Sequence, residues 1–382
     1  MTLNEKVAQL FVQKYGQNPL VVQSPGRINL IGEHTDYNQG FVLPAAIDKK
    51  IVVALQKRND DVISLTAVDF NEDYEVSLAD VAPLKHWPTY PLGVVHQLQT
   101  RGYTIGGFNM IIDGDVPVGA GLSSSAAVEC ATIFALDALF NLGIGRMDMA
   151  LMAQQAEHNF SGVKCGIMDM FASLFGKKDQ VVRLDCRSLE YEYAPLELGN
   201  YKLLLFNTNV KHSLASSAYN ERRQQCEQGV AWVQAHHPEV ASLRDVSEAM
   251  LAQYVLPKDA LVHQRCHFVV SEIARVQQAC LHLAANQLET FGAKMFETHF
   301  GLSKQYAVSC PELDFLVEAV QGNPAVLGAR MMGGGFGGCT INIVHHQHAD
   351  ALVQTLAERY QSQMHLPLTV YAVQTANGTG VV

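Results

Sequence analysis

Apolar side chains at Leu3, Val7, Leu10, Phe11 and Tyr15 recur at the spacing of one helix face, so the chain opens with a predicted amphipathic helix within Met1–Gly16. Strand-like runs follow at Leu20–Val22, Ile51–Leu55, Val62–Ala67 and Phe108–Ile112. Ser125–Phe140 is apolar nearly all round, which predicts a helix buried on most faces. Met147–Asn159 and Ile167–Phe175 read as further helices, the second closed by Gly176 at a position suited to a left-handed C-cap. Beyond them the pattern predicts a strand at Lys202–Phe206 and helices at Ser216–His236, Asp259–Asn286 and Leu288–Gln305. A strand at Thr340–Val344, a helix at Ala349–Gln363 and a strand at Leu368–Val373 complete the set. The elements interleave without a steady βαβ rhythm, which favours an α+β architecture. A boundary near 190–200 divides the chain into segments 1–195 and 196–382.

Composition narrows the class. The chain has 382 residues, 48% hydrophobic and 17% charged, enough for two domains with ample core. No run reaches the length of a membrane span, and the first residues lack the continuous apolar stretch and cleavage site of a signal peptide, so a cytoplasmic location is expected. Eight cysteines are scattered without a CxxC pair, which describes neither a disulfide framework nor a zinc site. The net charge of −10 argues against nucleic-acid binding, though not against a nucleotide held in a locally positive pocket.

Three segments carry candidate chemistry. In Ser24–Tyr37, Arg27 offers a planar donor fork suited to phosphate oxygens, and Glu33 and Asp36 give two acceptors suited to sugar hydroxyls. A turn with a surface ion pair fits the same composition, and zinc would need a second ligand cluster. In Pro117–Ala126, glycines allow a tight turn and close approach, and the serines open the buried helix with free N–H groups at its positive end. That describes a phosphate cradle, with a plain N-cap as the simpler reading. No GxxxxGK[ST] occurs, and the dinucleotide motif fails at Ser124, where a third glycine should stand. The third segment, Met331–Cys339, holds five glycines in six residues and is followed by a strand, so either its backbone lies against a ligand or another loop or it is a structural turn, the two readings fitting about equally.

In this order the three segments resemble the motifs of the GHMP kinase superfamily, and Gly26–Tyr37 resembles the galactokinase signature rather than that of mevalonate or homoserine kinases. Cys165–Asp169, Leu184–Leu189 and Tyr219–Arg223 also resemble family segments, so the likeness spans nearly the whole chain. The resemblance implies a two-lobed fold with the active site in the cleft between lobes. It implies Mg-ATP-dependent phosphorylation of the C1 hydroxyl of galactose, the first committed step of galactose catabolism (Leloir pathway). Asp169 matches the catalytic base and Arg27 the cation beside it; a carboxylate near Arg⁺ stays charged and can accept the sugar proton. Glu33, His34, Thr35, Asp36, Gly166 and Tyr219 match sugar contacts. Gly119, Ala120, Gly121, Leu122, Ser123, Ser124 and Ser125 match the loop around the ATP phosphates, and Trp87 and Tyr90 fall where adenine is packed. Ser125 and Glu157 match ligands of Mg2+. Read alone, Glu157 is a charged residue late in a helix, and Asp169 an acid in a first helical turn. The expected partners are galactose and ATP, with neither nucleic acid nor membrane, and the expected state is a monomer.

The sequence departs from the family pattern at Met170, Ala218 and Met332, where Gln, Glu and Thr are usual. Methionine fills irregular gaps, so these changes bear on selectivity rather than on the proposed ligands. Competing readings are a kinase for N-acetylgalactosamine or arabinose, a non-catalytic galactose and ATP sensor, and a nicotinamide oxidoreductase. The intact Ser123–Ala126 run together with Asp169 and Arg27 weighs against the sensor.

Overall fold

A computed structural model describes residues 1–210 and 215–382. Its first sheet runs in the order Gly380–Val381, Leu20–Asn29, Pro44–Lys57, Phe108–Gly114, Val62–Ala67, Glu72–Ser77. Neighbours are antiparallel except Val62–Ala67 with Phe108–Gly114, which are parallel. Alternation divides the side chains between two faces. Val52 and Ala54 pack with Val7, Phe11 and Ile111 beneath the helix Leu3–Tyr15, whereas Val53 and Leu55 enter the main core. On that second face the helices Ser124–Phe140 and Met168–Phe175 lie against the two longest strands, with Thr89–Thr100 and Arg146–Ala156 packed on them.

The second sheet is antiparallel, in the order Val326–Met331, Cys339–His345, Tyr201–Asn207, Thr369–Val373. Helices Leu288–Phe300, Pro311–Glu318 and Ala349–Met364 accompany it, and Ala215–Gln234 and Ala260–Ala284 pack on each other nearby. A small third sheet joins Phe41–Val42, Gln180–Asp185 and Tyr191–Pro195. The chain is α+β, with one continuous core linking both halves. No helix among the described residues is long and apolar enough to cross a membrane.

Most expected elements are present, with instructive differences. The first strand does not stop at Val22 but runs to Asn29, through Ser24, Pro25 and Gly26. The helix expected over Met147–Asn159 ends at Ala156 and widens into a π turn at Glu157–Ser161. Similarly, Leu288–Phe300 passes into a π turn at Gly301–Tyr306. Gly176 is not a left-handed cap: its φ is −51° and ψ 145°. Glycine serves closeness there, because a Cβ would stand 2.2 Å from that of Ala46. The end of the chain returns to the first sheet, where Val381 pairs with Val22. Thr379 Oγ1 also bonds Ser24 Oγ and the Ser173 carbonyl, each at 2.8 Å.

Candidate active site

The register of Leu20–Asn29 against Pro44–Lys57 shifts between Pro25 and Arg27. Proline inside a sheet is tolerated at such a bulge. Gly26 is required beside it, since a Cβ there would stand 2.7 Å from the Leu122 carbonyl oxygen. The bulge thereby seats the serine loop on the strand. The Arg27 N–H donates to the Leu122 carbonyl at 3.1 Å, and Nη1 donates to that of Gly121 at 2.6 Å. The other edge of the guanidinium, Nε and Nη2, spans Asp169 at 2.8 and 3.0 Å, a bidentate pair. Burial opposes the charge on Arg27, but Asp169 and then Glu33 outweigh it and raise its pKa.

Ser123 precedes the helix Ser124–Phe140 in the left-handed region, φ 59° and ψ 50°, and its side chain makes no capping bond. Its Oγ donates instead to Asp169 Oδ2 at 2.5 Å. A non-glycine residue held there stores strain of about 1–3 kcal/mol, a pattern found where geometry serves function. Gly119 and Gly121 to Ser125 line a cleft of ≈ 320 Å³, together with Arg27, Glu33, His34, Asp36, Glu157 and Asp169. From the second half come Tyr219 and Gly333 to Phe336, so both halves form its walls. Ala120 does not reach the cleft; it is buried beneath the loop with Gly338 against its backbone. The glycine cluster therefore lies against another loop, which accounts for its lack of side chains.

Glu33, His34 and Asp36 border the cleft on the side toward Tyr219 and Tyr306. Glu33 Oε1 accepts from Arg330 Nη1 at 3.0 Å and from the Gly333 N–H at 2.8 Å. His34 Nδ1 is 2.8 Å from the Tyr37 hydroxyl, and its ring lies 5.2 Å from that of Tyr219 and 4.9 Å from that of Tyr306. Burial pushes its pKa down to about 4, so the imidazole is neutral at pH 7, and Nε2 is buried without a hydrogen-bond partner. Asp36 moves the other way. Burial first, then the charges of Asp169 and Glu33, push it up to about 7, with Arg27 opposing. Gly166 backs this carboxylate so closely that a Cβ would stand 2.1 Å from Asp36 Cγ. Thr35 departs from the expected sugar contact: fully buried, its hydroxyl donates to the carbonyls of Gly32 and Phe41, at 3.0 and 2.7 Å, and so shapes the loop.

Ser125 and Glu157 both line the cleft. Glu157 is the first residue of the π turn; Oε1 accepts from Ser161 Oγ at 2.6 Å, and Oε2 is buried without a partner. Burial raises its pKa despite nearby hydroxyls. Such an orphaned oxygen beside a hydroxyl fits a divalent cation that takes its remaining ligands from phosphate and water. No group of three or more His, Cys, Asp or Glu suited to a metal occurs among the described residues. Trp87 and Tyr90 line an adjoining cavity of ≈ 130 Å³ that reaches Ser124 and Ser125, with Asp69, Phe70 and Val128 among its other walls.

Sequence reasoning missed the Ser123–Asp169 bond, the fully buried Glu129 beside Glu157, and Arg330 and Glu272 behind the sugar segment. A lone arginine in the apolar run before the glycine cluster was the available signal for Arg330, because a buried guanidinium demands a partner.

Comparison with known proteins shows the family. Residues 9–57 match the "Galactokinase galactose-binding signature", 89–177 the "GHMP kinases N terminal domain" and 278–362 the "GHMP kinases C terminal". A protein named Galactokinase from Roseiflexus sp. (strain RS-1) is 40% identical over 381 residues, covering 99% of this chain and 97% of its own. One of the same name from Exiguobacterium sibiricum is also 40% identical, over 98% and 97%. Among solved structures, Lactococcus lactis galactokinase complexed with galactose superposes with a TM-score of 0.95 at 34% identity, covering 100% of both chains. Methanococcus jannaschii mevalonate kinase shares the fold at a TM-score of 0.63 and 20% identity, over 94% and 99%.

Proposed function

Because the chain belongs to the galactokinase family of GHMP kinases and is an ATP-dependent sugar kinase, we propose that its cleft transfers the γ-phosphoryl group of ATP to the C1 hydroxyl of D-galactose. The products are galactose 1-phosphate and ADP. The observation that carries this reading is the bidentate Arg27–Asp169 pair, placed between the serine loop and the Glu33–Asp36 segment.

Asp169 accepts the proton of the C1 hydroxyl as that oxygen attacks phosphorus. Arg27 and Ser123 fix both carboxylate oxygens before substrate arrives, and Arg27 offsets charge growing on the transferring phosphoryl oxygens. Gly119 and Gly121 to Ser125 cradle the phosphates with backbone N–H groups at the positive end of a helix. Glu33 and Asp36 accept sugar hydroxyls, neutral His34 offers its unpaired Nε2, and Tyr219 closes the wall. Gly166 acts through the room it leaves Asp36. Trp87 and Tyr90 hold the adenine in the adjoining cavity. Ser125 and Glu157 would hold Mg2+, which neutralises phosphate charge when bound. We assign residues 1–195 and 196–382 to the two lobes, and propose a cytoplasmic monomer as the working state.

Replacing Asp169 by Ala should cut galactose-dependent ADP release by about 10²–10⁴-fold while leaving nucleotide binding in place. Retained turnover would remove Asp169 as the base. Assaying the natural chain with galactose, N-acetylgalactosamine and arabinose tests the acceptor, and absence of galactose-dependent ADP would defeat the reading.

A further inference from the structure

The loop 29–33 leans on the second half of the chain for its shape. Arg330, in the strand Val326–Met331, is the largest fully buried side chain of the described residues. Its Nε donates to the Leu30 carbonyl at 2.9 Å and its Nη2 to that of Asn29. Nη1 serves the Met331 carbonyl at 2.6 Å and Glu33 Oε1 at 3.0 Å. The Gly333 N–H reaches the same Oε1 at 2.8 Å. Both donors to Glu33 thus fall on one oxygen, and the carboxylate still borders the cleft. Behind the loop, buried Glu272 accepts from the Gly32 N–H at 3.1 Å and is itself held by Thr298 Oγ1, at 3.0 Å, and by Arg275.

Stability alone is a weak reason to keep such a group. A buried Arg–Glu pair gains little over apolar residues of similar volume, because both charges lose their water. Its distinctive property is geometric: a planar fork fixes several acceptors at once, which a lysine cannot do. We infer that Arg330 is a positioning residue for sugar recognition. It pins Glu33 through Oε1 and the backbone at Asn29 and Leu30, so that Oε2 is presented to a sugar hydroxyl at a set angle. This inference rests on the assignment of Glu33 to the sugar.

Calorimetric titration with galactose and, separately, with ADP tests it on Arg330→Gln, Arg330→Lys, Glu33→Gln and the double variant Glu33→Gln/Arg330→Gln. Arg330→Gln should weaken galactose by about tenfold or more, with ADP affinity within about twofold of the natural chain. Arg330→Lys, which keeps the charge but not the fork, should recover little. Within Glu33→Gln, adding Arg330→Gln should change galactose affinity by less than about twofold, because a residue acting through Glu33 has nothing further to lose. The double variant leaves neither charge buried alone, and in Glu33→Gln the amide oxygen and the carbonyls of Asn29, Leu30 and Met331 still accept from Arg330, so this comparison decides the matter even where Arg330→Gln fails to fold. A tenfold loss on adding Arg330→Gln to Glu33→Gln overturns the inference. Wild-type galactose affinity in Arg330→Gln, alongside weakened binding in Glu33→Gln, overturns it too and leaves the Glu33 assignment standing. Unchanged binding in Glu33→Gln defeats the assignment, and the inference with it.

Discussion

Asp36 and His34 stand two residues apart, and burial drives both toward their neutral forms. Asp36 holds its proton up to about pH 7, against an ordinary value of 3.8. Its protonation favours the fold fully below pH 3.8, and that contribution is lost as pH rises through about 7. His34 opposes it: lowered from 6.5 to about 4, it adds stability as pH rises through that window. Between 6.5 and 7 Asp36 acts without that opposition. Relative to the natural chain, Asp36→Asn should therefore gain stability progressively as pH rises from 3.8 to about 7, read from urea unfolding without sugar. A variant whose profile parallels the natural chain would contradict the assigned pKa. At this scale the sequence made Arg27, Glu33 and Asp36 visible as residue types that bind oxygen-rich ligands. Their specific meaning came through resemblance. Arg330 stayed hidden because its partner lies 297 positions away, and hydrophobic periodicity names no partners.

The bulged strand Leu20–Asn29 does more than its length suggests. The Ser24-Pro25-Gly26 stretch carries residues of low strand propensity, yet pairing of Ser24 and Pro25 with Ile51 and Lys50 keeps it extended, with Thr379 Oγ1 bonded to Ser24 Oγ on the other side. Local propensity was overridden by neighbours that periodicity cannot supply. The same limit applies to the π turn at Glu157, where pattern predicts continued α-helix and the wider turn instead sets the Phe160 carbonyl 3.4 Å from Thr89 Oγ1. Gly26→Ala forces a Cβ against the Leu122 carbonyl, a backbone atom that cannot swing aside. The expected cost is about 1–3 kcal/mol of stability, accompanied by lower turnover because the serine loop moves with Leu122. Denaturant unfolding and an ADP-release assay would show both. Natural stability and turnover in this variant would remove the bulge from the account.

Across the whole molecule, interleaved elements made the α+β class legible, whereas the order of strands was not. The return of the tail to the first sheet depends on polar contacts among Thr379, Ser24 and Ser173, which carry no hydrophobic signal. Thr379→Val keeps the shape and leaves the buried Ser24 hydroxyl unmatched, while the Ser173 carbonyl keeps the Thr379 N–H at 2.8 Å. It should cost about 1–3 kcal/mol and lower the melting temperature by about 2–6 °C, as calorimetry would report; an unchanged melting temperature would count against a closing role for the tail. That closure also has a temporal side. A ribosome makes residues 20–29 early and residues 380–381 near the end of the described chain. Until residues 380–381 emerge, then, the nascent sheet presents at Val22 and Gln23 an open hydrogen-bonding edge that they will cover. Such an edge invites pairing with a neighbouring chain, so a hazard of misassembly lies in the interval before residues 380–381 emerge.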